Sequence, residues 1–279
     1  MYRKSLASHG FLLAGRFLLA LILFLFSSEV EAHEFWLAPS SHKASEGANV
    51  DVYAMIGHGK DAETLVRRRD HLKTFLVHGD VGSRELSGRN RRLPTGKFRA
   101  QESGLQIVAY ESFPQENVLP GAEFDAYLRK EGLDEALASR QRAGEALKEG
   151  RELYTRFAKC LIQVGDKGGA DRALGFPLEL VVMNRVSKVK VGETLVVQVL
   201  RDGEPIPGLL VKAFSLAAES EPVGVRTDFD GLAKIVIGRT GRWMLNTVSM
   251  EPAEDTSETD WQSYWASVTF EVPEGDEAR

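Results

Sequence analysis

The chain has 279 residues, 43% of them hydrophobic and 27% charged, and a formal net charge of −5 at pH 7. That balance suits a globular protein of one large or two ordinary domains, and it lacks the concentrated positive charge a nucleic-acid binder needs. With Cys160 as the only cysteine, no internal disulfide can form, and an apolar core must hold the fold.

The first 32 residues read as a secretory signal. Arg3, Lys4 and Arg16 precede an unbroken apolar run of ten residues, 17–26 (FLLALILFLF), and a short polar end places Val30 and Ala32 at the two small-residue positions of a cleavage site. Ten apolar residues are too few to span a bilayer, which takes roughly 20. The expectation is export to the periplasm and cleavage after Ala32, with no stable membrane insertion afterwards. The removed segment has a net charge of +1, so the mature chain carries −6.

Cleavage there makes His33 the first residue, followed by Glu34-Phe35-Trp36-Leu37 and a turn over 38–41. Residues 49–56 (NVDVYAMI) alternate in the period of a half-buried strand and end in Gly57-His58-Gly59. Residues 72–77 and 105–110 are further strands. The stretch 85–101 is polar, and its cluster of Arg89, Arg91 and Arg92 reads as a solvated loop rather than a binding patch. Phe124, Tyr127 and Leu128 have helical spacing with a stop at Gly132, and Leu133 and Leu137 begin a second helical piece that ends by Gly150. Residues 154–164 (YTRFAKCLIQV) return to strand, with Cys160 in an apolar setting that suits a buried thiol.

Lys167-Gly168-Gly169-Ala170-Asp171 is the best boundary, since two glycines among charged residues bury little. Beyond it come seven strand candidates, at 178–183, 194–200, 209–216, 223–227, 232–237, 243–249 and 263–272. Seven short strands over roughly 100 residues is the count of an immunoglobulin-like sandwich. The predicted fold is mainly β, with two β-sandwich (immunoglobulin-like) domains. Residues 33–167 form the first, with a short helical insertion, and residues 174–273 form the second.

No strong catalytic motif is present. There is no HExxH, CxxC or Gly-Xaa-Ser-Xaa-Gly, and no histidine accompanies Ser263 and Asp260 in a triad. No catalytic residue is assigned, and the protein is read as a non-enzyme. His33 is the sharpest candidate. Its free α-amine and imidazole together form a chelate for nickel, cobalt, copper or zinc. Against it stands a histidine that follows the cleavage site by chance. Glu34 offers an oxygen ligand or a solvated carboxylate. His58, between glycines at a strand end, is the second metal candidate or an exposed turn residue. His71 and His78 flank a strand and read as surface residues, and His42 carries no assignment. Asp228 and Asp230 fit a hairpin turn better than a calcium loop. Trp261, Tyr264 and Trp265 fit packing better than ligand binding.

Taken together, His33-Glu34-Phe35-Trp36-Leu37, Gly57-His58-Gly59, Val108-Ala109-Tyr110-Glu111-Ser112, Phe124-Asp125-Ala126-Tyr127-Leu128, Tyr154-Thr155-Arg156-Phe157-Ala158-Lys159, Gly175-Phe176-Pro177-Leu178-Glu179 and residues 260–267 (DWQSYWAS) resemble a family of exported bacterial proteins. That family is largely described as a domain of unknown function and often labelled a periplasmic component of nickel or cobalt uptake. The resemblance spans the mature chain. It implies a β-rich periplasmic protein that handles a divalent metal beside a membrane uptake transporter, with metal at the processed N-terminus. Carried over, this falls on His33 and, second, on His58. Relatives commonly carry a histidine where this chain has Ser249, before Met250. The carboxy-terminal membrane helix of importer subunits is also missing. The competing readings are an envelope structural or interaction protein without metal and, last, a copper enzyme built on a histidine brace.

Overall fold

The computed structural model describes residues 34–216 and 221–274; the predicted signal segment and His33 lie outside them. In chain order, β1 (Glu34–Pro39), β2 (Lys43–Ala44), β3 (Asn49–Gly57), β4 (Glu63–Leu65), β5 (Leu72–His78), β6 (Ser83–Glu85), β7 (Gly96–Arg99), β8 (Gly104–Ser112) and β9 (Gln115–Leu119) precede two helices. These are α1 (Gly121–Lys130) and α2 (Asp134–Arg142), and β10 (Gly150–Val164) follows them. The rest of the chain is β11 (Leu178–Val182), β12 (Thr194–Arg201), β13 (Glu204–Pro205), β14 (Leu210–Ser215), β15 (Val223–Arg226), β16 (Leu232–Val236), β17 (Gly241–Pro252) and β18 (Trp261–Val272).

The strands form three sheets. A ten-stranded sheet runs β15-β14-β17-β18-β10-β8-β5-β6, with β2 and β9 also on β10. One four-stranded sheet holds β1, β3, β4 and β7, and another holds β11, β12, β13 and β16. The pleat of β10 explains how they stack, because successive side chains leave a strand on opposite faces. Phe157 and Leu161 join a core with Leu180, Val197, Leu245 and Val268. Ala158, Cys160, Ile162 and Val164 join another with Phe35, Leu37, Val50 and Val52. The large sheet is therefore shared, with one sandwich on each face. Helix residues Phe124, Tyr127 and Leu128 cover the remaining area with Val248, Trp261 and Trp265. Fully buried side chains such as Leu245, Val268 and Phe270 each contribute about 1.5–3 kcal/mol.

The mainly β, sandwich-type architecture and the two short helices are as the sequence predicts. The pairing between its halves is new. β10 and β18 run parallel in register from Glu152↔Trp261 to Cys160↔Thr269, so the large sheet continues across both segments. Three local readings are corrected. The turn expected at 38–41 begins later, since β1 stays paired to Pro39↔Val52. The stretch 85–101 contains β7, where Gly96 and Phe98 are buried between the exposed Lys97 and Arg99. Its charge hides a short amphipathic strand; Arg89, Arg91 and Arg92 are exposed as expected. The segment 167–171 was expected to bury little, yet the Asp171 side chain is fully buried against Lys159.

One smaller expectation holds and another holds in part. Asp228 Oδ1 accepts hydrogen bonds from the backbone N–H of Asp230 and Leu232 and closes a turn, but the turn joins two sheets and is not a hairpin, since β15 pairs with β14 and β16 with β12. Cys160 is buried, and burial pushes its thiol up to about 12.

His42, unassigned from sequence, is buried beside β10, with Nδ1 2.8 Å from the carbonyl of Leu161. Burial depresses its pKa from 6.5 to about 4, against the raising effect of that hydrogen bond. Above pH 6.5 the ring is neutral in both folded and unfolded chains. Between 6.5 and 4 the unfolded chain takes the proton first, so stability falls as the medium is acidified. Urea unfolding from pH 7 to pH 4 should lose about 3 kcal/mol to this group. His42→Asn, which keeps a donor at the Nδ1 position, should flatten that part of the profile. An unchanged slope in the variant would refute the assignment.

Candidate functional site

The first described residue, Glu34, opens β1 and pairs with Gly57, the last residue of β3. Gly57 has φ 123°, and a Cβ there would lie 2.9 Å from the Ala62 Cα, so the turn that presents His58 needs glycine. Across this pairing His58 Nδ1 forms an ion pair with Glu34 Oε2. The Lys212 Nζ lies 3.0 Å from Glu34 Oε1 and 2.6 Å from Glu131 Oε2. Lys130 Nζ is 3.4 Å from His58 Nε2. Five charged or titratable side chains from β1, the β3 turn, the end of α1 and β14 thus meet in one place.

The centre of the cluster is buried and Lys130 lies exposed at its edge. Glu34 and Glu131 are each 1% exposed and Lys212 is 6% exposed, while the His58 side chain keeps 28%. Burial alone would raise both carboxyls. At Glu34 the hydrogen bond from His58 and the charges of Lys212 and His58 outweigh it, and the pKa is lowered. At Glu131 burial outweighs Lys212, and the neighbouring Glu34 charge adds to it, so the pKa is raised. Lys212 is thus the cation on which two buried carboxylates depend.

Lys212 stands in a polar row across the large sheet, opposite Asn246 on β17, which is itself opposite Ser267 on β18. Asn246 Oδ1 and Ser267 Oγ are buried and find no hydrogen-bond partner among the described residues. Ser249 lies on the other face. It pairs with Tyr264, which packs on the core of the second sandwich, whereas Val248 and Met250 face the helices. Ser249 therefore points away from the Glu34–His58 pair.

Of the two predicted metal residues, His58 is in the cluster and His33 is outside the described residues, joined to Glu34 by one peptide bond. Among the described residues, no group of three or more His, Cys, Asp or Glu side chains is placed to hold a metal ion. His71 and His78 lie apart from the cluster at the two ends of β5. Trp261 and Trp265 pack against the helices, and Trp265 stacks on Tyr127 at 5.9 Å. Sequence reasoning missed Lys130, Glu131 and Lys212. The one signal for Lys212 was a single lysine inside the apolar run Leu209-Leu210-Val211-Lys212-Ala213-Phe214. Among the described residues no helix is long and apolar enough to cross a membrane.

No curated protein matches the chain. Among solved structures, it is similar to the D0-D1 domain of intimin at 12% identity, a match covering 85% of this chain and 97% of that one with a TM-score of 0.20. A family model described as "Domain of unknown function (DUF4198)" matches residues 30–251. That span takes in Glu34, His58, Glu131 and Lys212, and the chain belongs to the DUF4198 family.

Proposed function

We propose that this protein is an exported, non-enzymatic accessory that binds a divalent transition metal, nickel or cobalt, as cargo for a membrane uptake transporter. The metal is held by the processed His33 and by His58. The observation that supports this reading is the contact of Glu34 Oε2 with His58 Nδ1. Glu34 engages Nδ1, which leaves Nε2 as the metal-facing nitrogen, the usual arrangement of a carboxylate that orients a ligating histidine. The α-amine and imidazole of His33, one residue before Glu34, add two nitrogen donors once the signal is removed. Three nitrogens suit nickel and cobalt, and copper fits the same set. The Lys130 ammonium, 3.4 Å from Nε2, is the group a metal displaces.

Isothermal titration of the mature protein with nickel, cobalt and copper tests the proposal. Binding tighter than ~10 μM, roughly 7 kcal/mol, is expected. His33→Ala and His58→Ala should each weaken it at least ~10-fold. N-terminal sequencing of exported material should begin at His33. Binding indifferent to both substitutions, or a different first residue, overturns the reading.

A further inference from the structure

A cavity of about 270 Å³ lies between the first four-stranded sheet and the large sheet. Its apolar wall includes Phe35, Ile56 and Leu65, and Tyr110, Tyr154 and Arg156 come from β8 and β10. Arg67, Arg68 and His71 also line it, and no carboxylate does. The cavity's bias is thus cationic and aromatic.

Two of the three arginines are engaged elsewhere. Arg68 Nη2 is 2.6 Å from Asp70 Oδ2. Arg67 Nη1 donates to the carbonyls of Leu86 and Thr95, and its Nη2 is 3.6 Å from Glu85. Arg156 differs. Its guanidinium makes no ion pair and no hydrogen bond among the described residues, and Nε is buried without an acceptor. It is flanked by rings, 5.2 Å from the Phe35 centroid and 4.8 Å from that of Tyr154. The carboxylate whose charge it feels, Glu152, is already bound to Tyr127, Asn117 and Ser263. Aromatic faces soften the cost of a buried cation but accept none of its N–H bonds. Tyr110 also makes no hydroxyl hydrogen bond to the described residues. Burial pushes its pKa up to about 12, so it stays a neutral O–H donor.

A guanidinium fork without an acceptor, in a ring-walled cavity of this size, is built for a planar anion with an apolar body. We propose that the cavity binds a small organic carboxylate, with Arg156 taking the carboxylate, Tyr110 as a second donor, and Phe35 and Tyr154 packing the body. The site is separate from the His33–His58 reading and stands without it.

Phenylacetate, its neutral isostere phenylacetamide and inorganic phosphate are the probes, titrated by NMR into the purified protein in the presence of chelator. Phenylacetate should bind with Kd below about 1 mM and the amide at least ~10-fold more weakly. Arg156→Gln should weaken phenylacetate at least ~10-fold, and Tyr110→Phe several-fold, with thermal midpoints checked in parallel. Should Arg156→Gln fail to fold, the acid–amide contrast and Tyr110→Phe decide the matter. No phenylacetate binding at roughly 10 mM, equal binding of acid and amide, or undiminished binding by folded Arg156→Gln overturns the proposal. Phosphate binding as tightly as phenylacetate also overturns it, leaving an inorganic-anion site.

Discussion

Lys212→Met should destabilise the protein by roughly 3–5 kcal/mol at neutral pH, measured by urea unfolding. The lysine is 6% exposed and bridges Glu34 and Glu131, each 1% exposed. Methionine fills similar volume, so little of the loss comes from packing. What remains is two carboxylates in a buried space with one cation gone. Total stability of a domain is about 5–15 kcal/mol, so the variant sits near the unfolding threshold. The pH dependence identifies the cause. Burial already holds the Glu131 carboxyl above its unfolded value near 4.5 against the pull of Lys212, and losing Lys212 raises it further, while Glu34 keeps His58 as a partner. The Glu131 penalty is full above its folded pKa and fades as pH falls through that value, and below 4.5 folded and unfolded chains are both protonated. The gap between variant and native protein should therefore narrow in acid. Adding Glu131→Gln should recover part of the loss, because it removes the carboxylate that burial already pushes up. A pH-independent deficit, or no recovery in the double variant, would mean that Lys212 acts by packing alone.

Lys159→Met is the second large effect, again roughly 3–5 kcal/mol. Lys159 Nζ lies 2.8 Å from Asp171, 3.1 Å from Glu179 and 3.0 Å from the Arg172 carbonyl. All three ammonium protons thus have acceptors. Glu179 in turn accepts from the backbone N–H of Leu174, Gly175 and Phe176, and Asp171 accepts from that of Val182. The lysine anchors the whole connection between the two sandwiches to the central strand. Its loss should therefore show locally as well as globally. Limited proteolysis of the variant is expected to cut within 167–177 under conditions where the native chain resists. Uniform cleavage throughout, or resistance equal to the native protein, would contradict an anchoring role.

The regular elements were legible because their causes are local. The alternation in 49–56 became β3, the apolar stripe of Phe124, Tyr127 and Leu128 became α1, and all seven strands proposed after residue 174 are present. β7 was not, because only Phe98 and the small Gly96 mark its buried side amid lysine and arginine. The candidate site was half legible. His58 stood out through its flanking glycines. Glu131 looks ordinary in sequence, a helix-end carboxylate, and Lys212 is marked only by the apolar residues around it, which do not name its partners.

By itself the sequence determined the β-rich class, the helical insertion, the buried lone thiol and the turn at Asp228, since each follows from side-chain period or turn chemistry within a few residues. Only the tertiary structure decided that β10 lies parallel to β18 and that Lys212 meets partners 178 and 81 positions away. Contacts of that range leave no period in the chain. They arise when packed sheets bring distant charges into a space without water, where each must find its counter-ion.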